Sequence, residues 1–323
     1  MFYRYFPFWK FFFEALGWEV LVSKEKKRKE KIVYFEDSCL PMKLLVTHAM
    51  DLVDRTDHLF APRLVSLQQK YILCPKFRAV PDILRLALKQ GTSLLDETID
   101  LRTGKDAHVR SFWRLGNRLG SSREESERAF LKAHQSFMAF QKDWSARING
   151  LPMRQLFELG VPAPHEKSPA GLRVGLVGHP YNLFDVDINK DTPALMKHLG
   201  MEIITSDLLP EEVLDREVSA LSKEIYWSSG REIVGALFHF LSGGMDGVIF
   251  LTSFKCGIDA LLQEFVKRSL RIRGGCATPL LVLSFDEHTG REGLSTRLEA
   301  FRDVMEERRT VPNPKRRVIN KLQ

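Results

Sequence analysis

The chain has 323 residues, 44% of them apolar and 28% charged, a composition that suits a globular protein with room for about two domains of ordinary size. Its formal net charge of +7 is shared between Lys24–Lys31 (KEKKRKEK), Arg102–Arg128 and Arg308–Lys321; none of these runs carries interleaved aromatics, so they are solvated stretches and no nucleic-acid partner is expected. Four cysteines are too sparse for a disulfide scaffold and point instead to metal binding or burial in a reducing compartment.

The aromatic N-terminus MFYRYFPFWKFFFEALG is interrupted by Arg4, Pro7, Lys10 and Glu14 and has no small-residue cleavage site. Neither a membrane anchor nor a secretory signal is expected, and the cytoplasm is the expected location. A helix over Phe2–Leu16 stops at Gly17 and is followed by a short buried strand, Trp18–Val22. After the basic loop come an extended Ile32–Tyr34, a polar turn with Cys39, and a helix over about Met42–Leu52. Asp57–Ala61 reads as a strand, Tyr71–Leu73 extends toward Cys74, Phe77–Lys89 is helical, and Thr92–Leu101 closes a first α/β unit, residues 1–105.

From Asp106 the chain is rich in Arg, Glu, Ala and Leu, and Phe130, His134, Phe137, Phe140 and Trp144 recur at helical spacing, a stripe for core packing. This helical connector ends in the linker VPAPHEKSPAG, Val161–Gly171. A second α/β unit, residues 166–307, opens with the strand Leu172–Val177 and continues with a helix over Thr192–Leu199, a strand at Glu202–Thr205 and a helix over Ser229–Leu241. The strand Gly247–Leu251, a turn with Cys256, a helix to Arg271 and the strand Pro279–Phe285 complete it, ahead of a basic tail, 308–323.

The two units align with each other. TSLLDETIDLRTG (Thr92–Gly104) matches TPLLVLSFDEHTG (Thr278–Gly290), and FFEALGWEVLVS matches LMKHLGMEIITS. The expected fold class is α/β: two duplicated Rossmann-like, doubly wound domains with parallel sheets, joined by a helical segment. RVGLVG opens the second unit with a strand, whereas the first opens on its helix; the first sheet is expected to be one strand short, or the start to lie upstream.

In such sheets ligands bind at the carboxyl ends of the strands, where the cysteine turns fall. Cys39, Cys74 and Cys256 each sit at a helix N-terminus, where free N–H groups and the macrodipole favour a thiolate near neutral pH. Three such thiols fit three irons of a 4Fe-4S cluster with the fourth iron open. Zinc competes, although no close-spaced Cys/His pair is present, and three buried thiols packing as small hydrophobes is the structural alternative. Cys276, after Gly274 and Gly275 and running into a strand, reads as structural. Asp286, Glu287 and His288 follow the last strand and are candidates for proton transfer, or for capping the next helix.

The segments FYRYFPFWKFFFEALGWEVLVS, EDSCLPMKLLVTH, PRLVSLQQKYILCPKF, FKCGIDALL and SFDEHTGREGLSTRLEAF resemble a domain found alone or fused behind ATP-dependent acyl-CoA dehydratase activases. That domain belongs with the 2-hydroxyacyl-CoA dehydratase D-component and the double-cubane cluster proteins. The resemblance implies a cluster in an interdomain cleft, on Cys39, Cys74 and Cys256, fed low-potential electrons by a separate ATP-hydrolysing activase and acting on an acyl-CoA or another small molecule. A non-catalytic electron-transfer or accessory protein is the alternative, and a homo- or heterodimer is compatible with either. Too few thiolates are present for a double cubane, so a single 4Fe-4S cluster is expected. The Gly-Ile-Pro-Arg-like turn that opens the family pattern is missing. No phosphate-cradling Gly-rich loop is present, so the ATPase label that such proteins carry does not transfer.

Overall fold

The computed structural model describes residues 2–23, 37–147, 171–221, 223–272 and 274–310, with the backbone alone for 142–147. The expected strand at Ile32–Tyr34, the basic tail after Thr310, the run Lys24–Lys31 and nearly all of the linker lie outside these residues.

Helix α1 (Phe2–Ala15) ends as expected at Gly17, which takes the left-handed φ of 84° that a chain reversal after a helix needs. Its aromatics form a core with α4 (Ala107–Arg118) and α5 (Arg123–Arg147). Phe12 and Phe8 meet Phe112 edge-on at 4.7 and 5.0 Å, and Phe8 meets Phe130 at 5.6 Å. The edge-to-face geometry adds to burial, and the membrane-like composition of α1 is spent on this aromatic core. Among the described residues no helix is long and apolar enough to cross a membrane.

Between α1 and α4 lie α2 (Leu40–Leu52), β1 (Leu59–Phe60), β2 (Arg63–Ser66), α3 (Pro75–Ala87), β3 (Leu94–Leu95) and β4 (Thr98–Asp100). Strands β1 and β3 pair in parallel, as do β2 and β4, in one common register: Leu59 faces Leu94 and Leu64 faces Ile99. The two pairs are one ladder broken at Pro62, which has no N–H to donate; Ala61 and Arg63 still donate to Leu95 and Glu97 on either side. Trp18–Val22 forms no strand here, and Leu21 and Val22 stand 40% and 41% exposed. Its counterpart in the second half, β6, pairs with the opening strand β5. Among the described residues nothing offers Trp18–Val22 such an edge.

The second half holds β5 (Leu172–Gly178), α6 (Pro180–Phe184), α7 (Val186–Asn189), α8 (Thr192–His198), β6 (Met201–Thr205), α9 (Glu211–Ser219), α10 (Ser228–Ser242), β7 (Gly247–Ser253), α11 (Gly257–Ile272), β8 (Leu280–Phe285) and α12 (Arg291–Thr310). Its four strands run parallel in the order β6-β5-β7-β8. Both faces are covered: alternate residues of β7, Val248 and Phe250, enter one core, and Ile249 and Leu251 enter the other. This is why β7 reads as a continuous apolar run. The protein is thus α/β with parallel sheets, its two halves carrying unequal ladders.

The halves share their cores. Leu40 and Leu44 of α2 join the core under β5, β7 and β8, while Met42, Val46 and Val80 join the core on the opposite face. Polar contacts reinforce the junction: Tyr3 donates to Asp185 at 2.7 Å, Arg4 pairs with Glu232 at 2.7 Å, and Ile72 exchanges backbone hydrogen bonds with Tyr226 and Ser228.

Candidate metal centre

The sheet order puts a topological switch point between β5 and β7, because the chain leaves β5 for β6 on one side and returns to β7 on the other. Crevices at such points, outside the carboxyl ends, are where doubly wound sheets bind ligands. Two turns emerge there. After β5 the chain reaches His179, which precedes α6; after β7 it passes Lys255, held at φ 62°, and reaches Cys256, which precedes α11. Gly178 permits the close approach, since a Cβ there would come within 2.9 Å of the Leu251 carbonyl oxygen.

Cys39 and Cys74 reach the same region from the first half. Each immediately precedes a helix with proline in its first turn, α2 and α3, and neither uses its side chain as a cap. The Phe77 amide donates to the Cys74 carbonyl oxygen at 2.9 Å, and the Asp259 amide donates to Cys256 Sγ at 3.5 Å. Charge on Cys39 raises the pKa of Cys74, and charge on Cys39 or Cys74 raises that of Cys256, so the three thiols lie within electrostatic reach of one another. Cys74 and Cys256 also hold matching places, in the orders β2–Cys74–α3–β4 and β7–Cys256–α11–β8. Cys276 is elsewhere: it precedes β8, at the amino end of the sheet, and its Sγ donates to the Leu241 carbonyl at 3.0 Å.

The expectation of ready thiolates needs correction. Burial pushes the Cys256 thiol far above its ordinary value, with the Asp259 carboxylate pushing the same way, and burial likewise raises Cys74. Desolvation of the charged sulfur outweighs the helix-start amides, so without a cation these thiols hold their protons.

Around Cys256 lie groups that the sequence reading missed. His179 Nε2 stands 2.9 Å from Asp259 Oδ1, and both side chains are buried. Asp259 Oδ2 accepts the Ser253 amide at 3.1 Å, Ser253 Oγ donates to Asn182 Oδ1 at 2.7 Å, and Asn182 Nδ2 donates to the Leu251 carbonyl at 3.1 Å. The Tyr181 ring stacks on His179 at 4.9 Å. Burial first, then Asp259 and all three cysteines, hold its hydroxyl well above the usual phenol range. A signal was available: His179-Pro180 directly after the strand RVGLVG, and an aspartate three residues beyond Cys256. A pocket of about 340 Å³ opens beside Cys256, lined also by Ser253, Phe254, Lys255, Asp259 and Gln263.

The three residues after β8 take different places. Asp286 closes a turn, its Oδ1 accepting the His288 amide at 3.0 Å and the Thr289 hydroxyl at 2.7 Å. Glu287 accepts from the buried Lys43 of α2 at 2.5 Å, which holds its carboxyl below the usual range. His288 is exposed.

A parallel α/β protein with cysteine turns gathered at a switch point is the class that fold and site define. Residues 1–209 match the family described as "CoA enzyme activase uncharacterised domain (DUF2229)", and the chain belongs to that family. The matched region contains Cys39, Cys74 and His179 and ends before Cys256. A search of the curated proteins finds no match to the chain.

Proposed function

We propose that the protein is an iron-sulfur component of an acyl-CoA dehydratase system, holding a 4Fe-4S cluster on Cys39, Cys74 and Cys256. The observation that carries the reading is that three thiols from distant parts of the chain start three helices and meet in one core where the two halves join, Cys39 and Cys256 buried in it and Cys74 packed against it. The donor chemistry suits the group: three sulfurs match three irons, and the Asp259 amide directed at Cys256 stabilises sulfur charge once iron displaces the proton. Such a cluster supplies a Lewis-acidic open iron and single low-potential electrons. Family membership supports an activase as the partner and source of those electrons.

The pocket beside Cys256 favours a component that takes a small substrate, an acyl-CoA or another, over a pure electron carrier. In this reading the chain supplies binding walls through Phe254, Lys255 and Gln263. Proton transfer at this edge falls to His288, because Asp286 and Glu287 are committed to Thr289 and Lys43. We further read the two halves as copies of one α/β unit joined by the helical segment, on the support of their shared order of strand, cysteine, helix and strand.

Protein purified without oxygen from an iron-replete host should be brown, with about four irons per chain. Cys39→Ala, Cys74→Ala and Cys256→Ala should each lose most of that iron, and Cys276→Ala should retain it. A colourless, iron-free preparation would overturn the reading.

A further inference from the structure

We propose that His179, Cys256 and Asp259 form a site for one borderline-soft divalent ion of the Zn²⁺ type, at the switch point between β5 and β7, as an alternative load to the cluster. The spacing of the donor atoms is the first argument. One nitrogen of His179, the Cys256 sulfur and a carboxylate oxygen of Asp259 all lie within 4.8 Å of one another. Bonds of about 2.0–2.3 Å to one tetrahedral ion set its donors roughly 3.3–3.8 Å apart, whereas donors on different irons of a cube stand about 6 Å apart. With His179 and Asp259 2.9 Å apart and no pair beyond 4.8 Å, the set closes on a single ion with an inward shift of about 1 Å or less and is tighter than the corners of a cluster.

The second argument is independent of spacing. His179 Nε2 and Asp259 Oδ1 are shielded from solvent, and neither has a hydrogen-bond partner among the described residues. They lie 2.9 Å apart, but not in line for a hydrogen bond. Two unsatisfied polar atoms side by side, on residues 4% and 1% exposed, carry a large desolvation cost that one cation between them removes. Thiolate and carboxylate together also neutralise a dication, which makes the loaded site electrically neutral in a buried setting.

The surroundings complete it. The second carboxylate oxygen is fixed by the Ser253 amide, Ser253 is fixed by Asn182, and the imidazole is stacked on Tyr181, so the donors are oriented by outer partners as metal ligands are. Three protein donors leave a fourth position, and the pocket at Cys256 and Asp259 supplies both an entry path and room for a water there. Cys256 cannot serve a cluster and this ion at once. The two are alternative loads of one cleft: the single ion needs His179 and Asp259 but not Cys39 or Cys74, and the cluster needs the reverse.

The test uses the full chain, stripped of metal with a chelator under anaerobic conditions and titrated with Co²⁺ as the optical probe. One equivalent should bind with a thiolate-to-cobalt charge-transfer band and tetrahedral d–d bands, and Zn²⁺ should displace it. Cys39→Ala and Cys74→Ala should bind as the unaltered chain does. Cys256→Ser, His179→Ala and the isosteric Asp259→Asn should each weaken binding by more than about 100-fold, the upper end of what losing an outer partner costs. Loss of the Co²⁺ spectrum in folded Cys39→Ala, or its persistence in His179→Ala, overturns the site. X-ray absorption at the zinc edge of the unaltered chain needs no variant: one sulfur and two nitrogen or oxygen protein donors are expected, and a three-sulfur shell refutes the proposal. Failure of the cluster reading shows separately, as absence of iron that leaves the Co²⁺ result unchanged.

Discussion

Lys43 and Glu287 join the two halves at the point where the cysteines meet, and removing one of them should reveal what the pair does. Lys43 lies one helical turn beyond Cys39 on α2, only 7% exposed, and its ammonium bonds Glu287 after β8 at 2.5 Å. At an effective dielectric constant near 20 the attraction is on the order of 5 kcal/mol, similar to the effective penalty of burying one ammonium, so the pair as a whole adds little. Glu287→Gln removes the attraction and leaves the buried charge. A fully enclosed pair broken this way costs about 3–5 kcal/mol. Glu287 is 33% exposed, so water reaching the vacated side offsets part of that, leaving about 2 kcal/mol. Urea unfolding should show this loss at pH 7. Because Lys43 holds the Glu287 carboxyl below its ordinary value, the stabilisation is present above the unfolded carboxylate pKa of about 4.3 and is lost as pH falls through the lower folded value. The variant and the unaltered chain should therefore converge in acid. Lys43→Met combined with Glu287→Gln should recover most of the loss. A Glu287→Gln variant within about 0.5 kcal/mol of the unaltered chain at pH 7 would refute the reasoning, since that is the range of ordinary surface substitutions.

Two further substitutions probe the switch point directly. Gly178→Ala places a Cβ 2.9 Å from the Leu251 carbonyl oxygen between paired strands, and should cost about 1–3 kcal/mol in urea unfolding, with iron content falling if β5 and β7 separate. Asn182→Ala removes a buried amide, taking the acceptor of the Ser253 hydroxyl and the side-chain donor to the Leu251 carbonyl; a loss of about 1–3 kcal/mol is expected, and a change below about 0.5 kcal/mol would show that water replaces the amide.

The second half was legible almost strand by strand because its strands are covered on both faces. Val174–Val177 and Gly247–Leu251 are unbroken apolar runs, and the glycines after the helices mark the ends. The first half was harder to read. Its one parallel ladder is cut by Pro62 into pieces of two to four residues, too short for a periodic signal, and Trp18–Val22 carries strand-like residues that find no edge to pair with among the described residues. The cysteines were visible as residues before helices, but the protonation of Cys74 and Cys256 was not: burial, which only the packed structure fixes, reverses at these two the preference that a helix start alone would give. His179 and Asp259 were missed because a lone histidine after a strand and an aspartate in a first helical turn are ordinary in sequence. They become chemical groups only when β5 and β7 are neighbours.

That adjacency also explains why the chemistry is lopsided. A switch point needs an opening strand with neighbours on both sides, and among the described residues the first half pairs only two strands, so no crevice of this kind forms there. The matching position after the first ladder accordingly carries Asp100 bonded to Arg102, a closed surface pair, where the second half carries Asp286, Glu287 and His288. Cys39 and Cys74 thus gain a chemical setting only by resting on the sheet of the other half. The residues that dock α2 there, Leu40 and Leu44 by burial and Lys43 through Glu287, are as much a part of the proposed cluster site as the sulfurs, because without them Cys256 keeps its histidine and aspartate but loses Cys39.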